Sequence, residues 1–146
     1  MISIELTREQ LQYGFVATDA NHHSVKMDTN SETGGTDFGV RPMQLLLMAL
    51  AGCSAIDVIG ILNKQRQNIT DYKMKVSGER EAGIEPSLWK KVDVVFFLYG
   101  EIDETKAERA AALSMDKYCS VAATLRAAGA TINWKIIINE TAAETV

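Results

Sequence analysis

The longest apolar stretch of the chain runs almost unbroken from Leu45 to Leu62. Pro42, just before it, suits the first position of a helix, because its missing N–H would be unpaired there in any case. Lys64 and Arg66, just after it, suit the negative end of a helix dipole. The pattern therefore predicts one long helix over 41–66. Because this helix is apolar on nearly all sides, we expect it to be buried.

Alternating apolar and polar residues, the period of a half-buried strand, predict strands on both sides of this helix. In chain order, the predicted strands are 2–6, 13–17, 25–27, 71–81, 88–99 and 132–138, and all of them alternate except 88–99, which is a more uniformly apolar run. The first three favour a small antiparallel meander, and the next two a hairpin. The strand over 88–99 is so uniformly apolar that we expect it to be central and covered on both faces.

Polar and helix-favouring residues fill the remaining segments. Asp28 to Gly39 is rich in Gly, Ser and Thr and predicts a loop. Residues 104–116 favour a helix capped by Asp103 or Thr105, and a second short helix is predicted over 117–128, with Gly129 at its C-terminal end. The last few residues predict a frayed tail.

Strands and helices come in runs without regular alternation, which indicates the α+β class. A length of 146 residues predicts a single domain over 1–146. The formal net charge of −4 argues against a non-specific nucleic-acid binder, which needs a basic face against phosphate.

The first ten residues are too polar for a signal peptide. Gly52, Asp57 and Gly60 interrupt the apolar helix, which favours a core helix and not a membrane span. We therefore expect a cytoplasmic protein without a membrane partner. In that compartment its two cysteines are expected to be free or catalytic.

Cys53 and Cys119 are the candidate chemical groups. They form no CxxC pair, so no zinc site of the usual spacing is predicted. Both lie in predicted helices, and if these helices pack together the sulfurs could meet as a redox pair. Cysteine also serves as a small buried hydrophobe, and the pattern alone leaves that alternative open. Asp57, one turn after Cys53, is expected to pair with a Lys or Arg.

The segment PMQLLLMALAGCSAIDV, followed far downstream by DKYCSVAATL, resembles the OsmC/Ohr family, and especially its OsmC-like branch. The resemblance covers nearly the whole chain in motif order. It implies an α+β fold with antiparallel sheets around a long buried central helix, in an intertwined homodimer. It implies no bound cofactor and no metal.

For function, the resemblance implies a thiol peroxidase that reduces organic hydroperoxides in oxidative-stress defence. Cys53 matches the peroxidatic cysteine of the family, and Cys119 matches the cysteine that resolves the sulfenic acid. A dithiol of the lipoyl type is the implied reductant.

The chain departs from the family pattern near the helix start. Peroxide-reducing members carry a Glu about ten residues before the first Cys, paired with an Arg from the N-terminal strands. Met43 and Gln44 stand here instead, and Lys26 is the one cation between Arg8 and Arg41. Gln44 and Lys26 are therefore candidates for orienting the peroxide or the thiolate.

The absent Glu and Arg also favour an alternative function. In that alternative, the chain is a non-catalytic OsmC-like protein that binds a small apolar or thiol ligand at the dimer interface.

Overall fold

The computed structural model describes residues 1–139, and it has the predicted α+β class. Two compact units divide the chain, one over Met1–Leu46 and the other from Leu47 onward. The predicted frayed tail lies outside the described residues.

The first unit contains the predicted meander. Its strands are β1 (Ile4–Gln10), β2 (Gly14–Asp19) and β3 (Ser24–Met27). They form an antiparallel sheet in the order β1-β2-β3. Asp19 closes the turn between β2 and β3, because its carboxylate accepts the backbone N–H groups of Asn21 and His23 at 2.9 Å each.

The carboxylate of Asp28 holds the backbone of the predicted loop over 28–39 by hydrogen bonds. The buried side chain of Asp28 accepts the backbone N–H groups of Thr29, Thr36 and Phe38 at 2.7, 2.8 and 3.0 Å. These hydrogen bonds hold the pKa of the Asp28 carboxyl below its ordinary value of 3.8, and the bond from Phe38 has the largest effect. The segment is thus a loop that its own first residue organises.

The long helix α1 (Pro42–Lys64) begins at the predicted proline. Its buried residues, Leu50, Ser54, Val58 and Leu62, follow one another at intervals of four. Such a row lies along one side of a helix. Ser54 is tolerated in it because its hydroxyl donates to the carbonyl of Leu50 at 2.8 Å.

The single chain does not show the predicted burial of α1 on nearly all sides. Met48 is 50% exposed and Ile56 75% exposed, because the buried residues of α1 within the described range 1–139 lie along one face. By length and composition alone, α1 could cross a membrane: an 18-residue window has a mean hydropathy of 2.3, and 22% of it is buried.

The second unit contains a mixed sheet. Its strands are β4 (Asn68–Arg80), β5 (Trp89–Glu101) and β6 (Thr131–Ile138), in the order β4-β5-β6. β4 and β5 form the predicted antiparallel hairpin, and β5 is the predicted central strand. β6 runs parallel to β5, and this one pairing departs from the antiparallel sheets that the resemblance implied. A parallel neighbour needs a long crossover, and the helices between the two strands supply it.

That crossover consists of α2 (Glu104–Leu113), a π-helical turn (Ser114–Tyr118) and α3 (Ser120–Ala127). Asp103 caps α2 as predicted, accepting the N–H of Lys106 at 2.9 Å. Gly129 follows α3 with a φ of 98°, which suits glycine. The second short helix begins later than predicted, so Cys119 precedes α3 in extended conformation and does not lie within a helix.

The close approach of α1 and β4 to Trp89 can be tested at Gly78. A Cβ there would lie 2.8 Å from two Trp89 ring atoms and 3.2 Å from a Leu47 methyl carbon. We expect Gly78→Ala to lower the free energy of unfolding by about 1–3 kcal/mol, the usual cost of overpacking. Gly60→Ala is the matched control, because its Cβ meets open space and alanine favours a helix by about 1 kcal/mol.

Urea unfolding of both variants measures this difference. Effects of opposite sign are the expected result. A Gly78→Ala protein as stable as the wild type would contradict the described packing.

Candidate functional site

Two thiols and a carboxylate converge in the second unit. The Sγ atoms of Cys53 and Cys119 and a carboxylate oxygen of Asp57 all lie within 4.8 Å of one another. Cys53 and Asp57 share one face of α1, because four residues make about one helical turn. Both are half-buried, whereas Cys119 is buried. The structure thus brings together the two sulfurs that the sequence singled out.

The π-helical turn and the start of α3 place Cys119. Its N–H donates to the carbonyl of Ser114 at 2.8 Å, which closes the π-helical turn. Its Sγ then accepts the N–H of Ala122 at 3.4 Å as the N-terminal cap of α3. Sulfur is a weak acceptor, so this cap positions the thiol without binding it strongly. Single π-turns of this kind occur frequently at functional sites.

Ser114 is a site residue that sequence reasoning missed. It is fully buried, and its hydroxyl donates to Oδ2 of Asp57 at 3.0 Å. The prediction that Asp57 pairs with a Lys or Arg is therefore wrong, because its carboxylate joins no ion pair within residues 1–139. The sole signal in the sequence was one small hydroxyl residue beside an alanine-rich, helix-favouring segment.

The environment of Cys119 keeps its thiol protonated. Burial, as the largest cause, and the hydrogen bond with Cys53 together raise the pKa of Cys119 to about 11, although the N–H of Ala122 acts in the opposite direction. At neutral pH the Cys119 sulfur is therefore a neutral thiol. The half-buried Cys53 is the sulfur that solvent and small molecules can reach.

The two supporting candidates belong to the first unit, where their side chains make other contacts. Oε1 of Gln44 accepts the N–H of Arg41 at 3.1 Å. This is one half of a capping box at the start of α1. Nζ of Lys26 lies 5.1 Å from the centre of the Phe38 ring, in a cation–π contact. Their suggested roles toward peroxide or thiolate remain predictions.

An open cavity of about 670 Å³ adjoins the site through Asp57, which lies on its wall. Ile56, Ile61 and Leu113 give this wall an apolar character, and Lys64 contributes the one cation among its lining residues. Neither cysteine is among its lining residues. A cavity of this composition can hold an alkyl or aryl group beside Asp57.

Known proteins are similar to this chain in sequence and in fold. The family model described as OsmC-like protein matches residues 33–135. Protein YhfA of Escherichia coli strain K12 is 37% identical over 125 residues, which cover 84% of this chain and 90% of that protein.

Two solved structures extend the likeness. A hypothetical protein from Aquifex aeolicus VF5 has a TM-score of 0.79 at 27% identity, over 96% of this chain and 98% of its own. An organic hydroperoxide resistance protein OsmC from Legionella pneumophila has a TM-score of 0.63 at 16% identity, over 94% and 97%. The latter likeness concerns the fold alone. With the family model matching well over half of its length, the chain belongs to the OsmC-like protein family.

Proposed function

We propose that this protein is a thiol peroxidase that reduces organic hydroperoxides through a two-cysteine cycle, in cytoplasmic defence against oxidative stress. The observation that carries the proposal is the pairing of an accessible sulfur, Cys53, with a buried, protonated one, Cys119, within 4.8 Å. Proteins of the same fold are named organic hydroperoxide resistance proteins, which supports the same chemistry.

In the first step of the proposed cycle, the Cys53 thiolate attacks one oxygen of the hydroperoxide. The O–O bond breaks, the alkoxide leaves and takes up a proton as an alcohol, and Cys53 becomes a sulfenic acid. Sulfur is oxidised and the peroxide is reduced by the same two electrons. The apolar wall of the adjoining cavity, with Ile56 and Ile61, favours an alkyl or aryl hydroperoxide over hydrogen peroxide.

In the second step, the Cys119 sulfur attacks the sulfenic sulfur of Cys53. The S–S bond forms, and the hydroxyl group leaves with the thiol proton as water. To form an S–S bond of about 2.05 Å, the two sulfurs need to approach each other by about 3 Å at most. The weak hydrogen bond from the N–H of Ala122 to the Cys119 sulfur offers little resistance to this movement. A dithiol of the lipoyl type then reduces the disulfide by thiol–disulfide exchange and is itself oxidised.

We further propose that the protein acts as an intertwined homodimer with α1 at its centre. Met48 and Ile56 are 50% and 75% exposed in the single chain. Large apolar side chains on one helix face, left uncovered over several turns, indicate an interaction surface. A second copy of the chain carries the same exposed apolar face. Two copies can therefore bury these faces against each other in a symmetric dimer.

Sedimentation equilibrium tests the homodimer. The wild type is expected at twice the chain mass of 16.0 kDa, and Ile56→Glu is expected to shift it toward the monomer by burying a charge in the interface. Ile84→Glu is the control, because Ile84 is also exposed but lies outside α1. A wild type that sediments as a monomer at micromolar concentration would contradict the proposal.

Turnover of cumene hydroperoxide with dihydrolipoamide tests the peroxidase. We expect Cys53→Ala to reduce consumption to the rate of the dithiol alone, because no attacking sulfur remains. Cys119→Ala is expected to react once to a sulfenic acid and then to depend on external thiol. Circular dichroism establishes that both variants fold.

Equal turnover by Cys53→Ala and the wild type would overturn the peroxidase proposal. A peroxide-inert protein whose unfolding midpoint rises with a small apolar or thiol ligand, even in the Cys53→Ala/Cys119→Ala double variant, would favour the non-catalytic binding protein instead.

A further inference from the structure

We propose that the reduced cysteine pair and Asp57 together bind Zn²⁺. The donor atoms are the Sγ atoms of Cys53 and Cys119 and a carboxylate oxygen of Asp57, which the fold brings to one place from sequence positions that form no metal-binding motif. Two cysteine sulfurs and one carboxylate are a donor set that Zn²⁺ accepts readily. As the ion binds, the cysteine thiols release their protons to the buffer.

The geometry is close to that of a tetrahedral site. With Zn–S distances of about 2.3 Å and Zn–O distances of about 2.0–2.2 Å, neighbouring donors in a tetrahedron lie about 3.5–3.8 Å apart. The three donors here lie within 4.8 Å of one another. They therefore need to close by about 1.3 Å at most, and no S–S bond prevents the two thiol side chains from rotating.

The surroundings of Asp57 also suit a ligand. The buried Ser114 hydroxyl donates to its Oδ2 at 3.0 Å, and an outer hydrogen bond of this kind orients a metal-binding carboxylate. No ion pair within residues 1–139 neutralises this carboxylate. Asp57 also lies on the wall of the open cavity, which brings solvent water to this carboxylate.

Zn²⁺ and the disulfide exclude each other, because each requires both sulfurs. A bound ion would hold both thiols reduced and shield Cys53 from peroxide, and this consequence rests on the proposed function. The metal site itself requires just the two thiols and the carboxylate, so it stands independently of peroxidase activity.

Titration calorimetry of the reduced protein with Zn²⁺ in metal-free buffer tests the site. We expect one equivalent per chain for the wild type and no binding by the disulfide form. Ser114→Ala should weaken the affinity by about 10-fold, the usual effect of losing an outer hydrogen bond, and Asp57→Asn by at least as much. Asp71→Asn, the same change at an exposed carboxylate on β4, should leave it unchanged.

Co²⁺ serves as a spectroscopic probe of the same site. A thiolate-to-Co²⁺ charge-transfer band that appears in the wild type, disappears in Cys53→Ala and is bleached by added Zn²⁺ supports the assignment. A missing band, or an Asp57→Asn protein that binds Zn²⁺ as tightly as the wild type, would overturn it.

The experiments can contradict the proposed metal site and the proposed peroxidase function independently of each other. A protein that consumes peroxide but binds no Zn²⁺ overturns the metal site alone. A protein whose thiols ignore peroxide while all three residues bind Zn²⁺ supports the metal site and contradicts the proposed function.

Discussion

The packing of one side of α1, the row Leu50, Ser54, Val58 and Leu62, sets the positions of Cys53 and Asp57 in the candidate site. Because this row is buried, the helix cannot rotate about its axis without exposing it. The neighbouring positions Cys53 and Asp57 are thereby held toward Cys119. Ser54 ties the row to the sheet, since its hydroxyl lies 3.7 Å from the sulfur of Met74 on β4. A close-packed contact of this kind transmits even small displacements, so the sulfur pair depends on residues that take no part in chemistry.

The sulfur of Cys119 is positioned by another part of the fold, the interrupted crossover between β5 and β6. A continuous helix through 104–128 would carry Cys119 on its surface, whereas the π-helical turn ends at Tyr118 and leaves Cys119 as the cap of α3. The result is an asymmetric pair with one accessible and one buried thiol. That asymmetry determines the order of the proposed steps, because the reachable sulfur meets the peroxide first. The same pair, with Asp57 beside it, also supplies the three donors of the proposed metal site.

Local signals in the sequence predicted much of the fold. The proline at the start of α1, the alternation in the strands, the Asp103 cap and Gly129 after α3 all act over a few residues, and each prediction is confirmed. Long-range features could not be read in this way. The parallel pairing of β6, the contact of Ser114 with Asp57 and the cap position of Cys119 depend on how distant segments pack. Apolar content likewise shows that α1 needs cover, but it does not identify which surface supplies that cover.

In the proposed cycle, Cys53 and Cys119 of the same chain react with each other when peroxide is supplied. The most direct test of this reaction is non-reducing peptide mapping after one equivalent of cumene hydroperoxide, on protein mixed from ¹⁵N-labelled and unlabelled chains. We expect one cross-linked peptide pair joining Cys53 to Cys119, with both peptides carrying the same isotope. Thiols that remain open to alkylation after peroxide treatment, or cross-links that join labelled to unlabelled peptides, would contradict it.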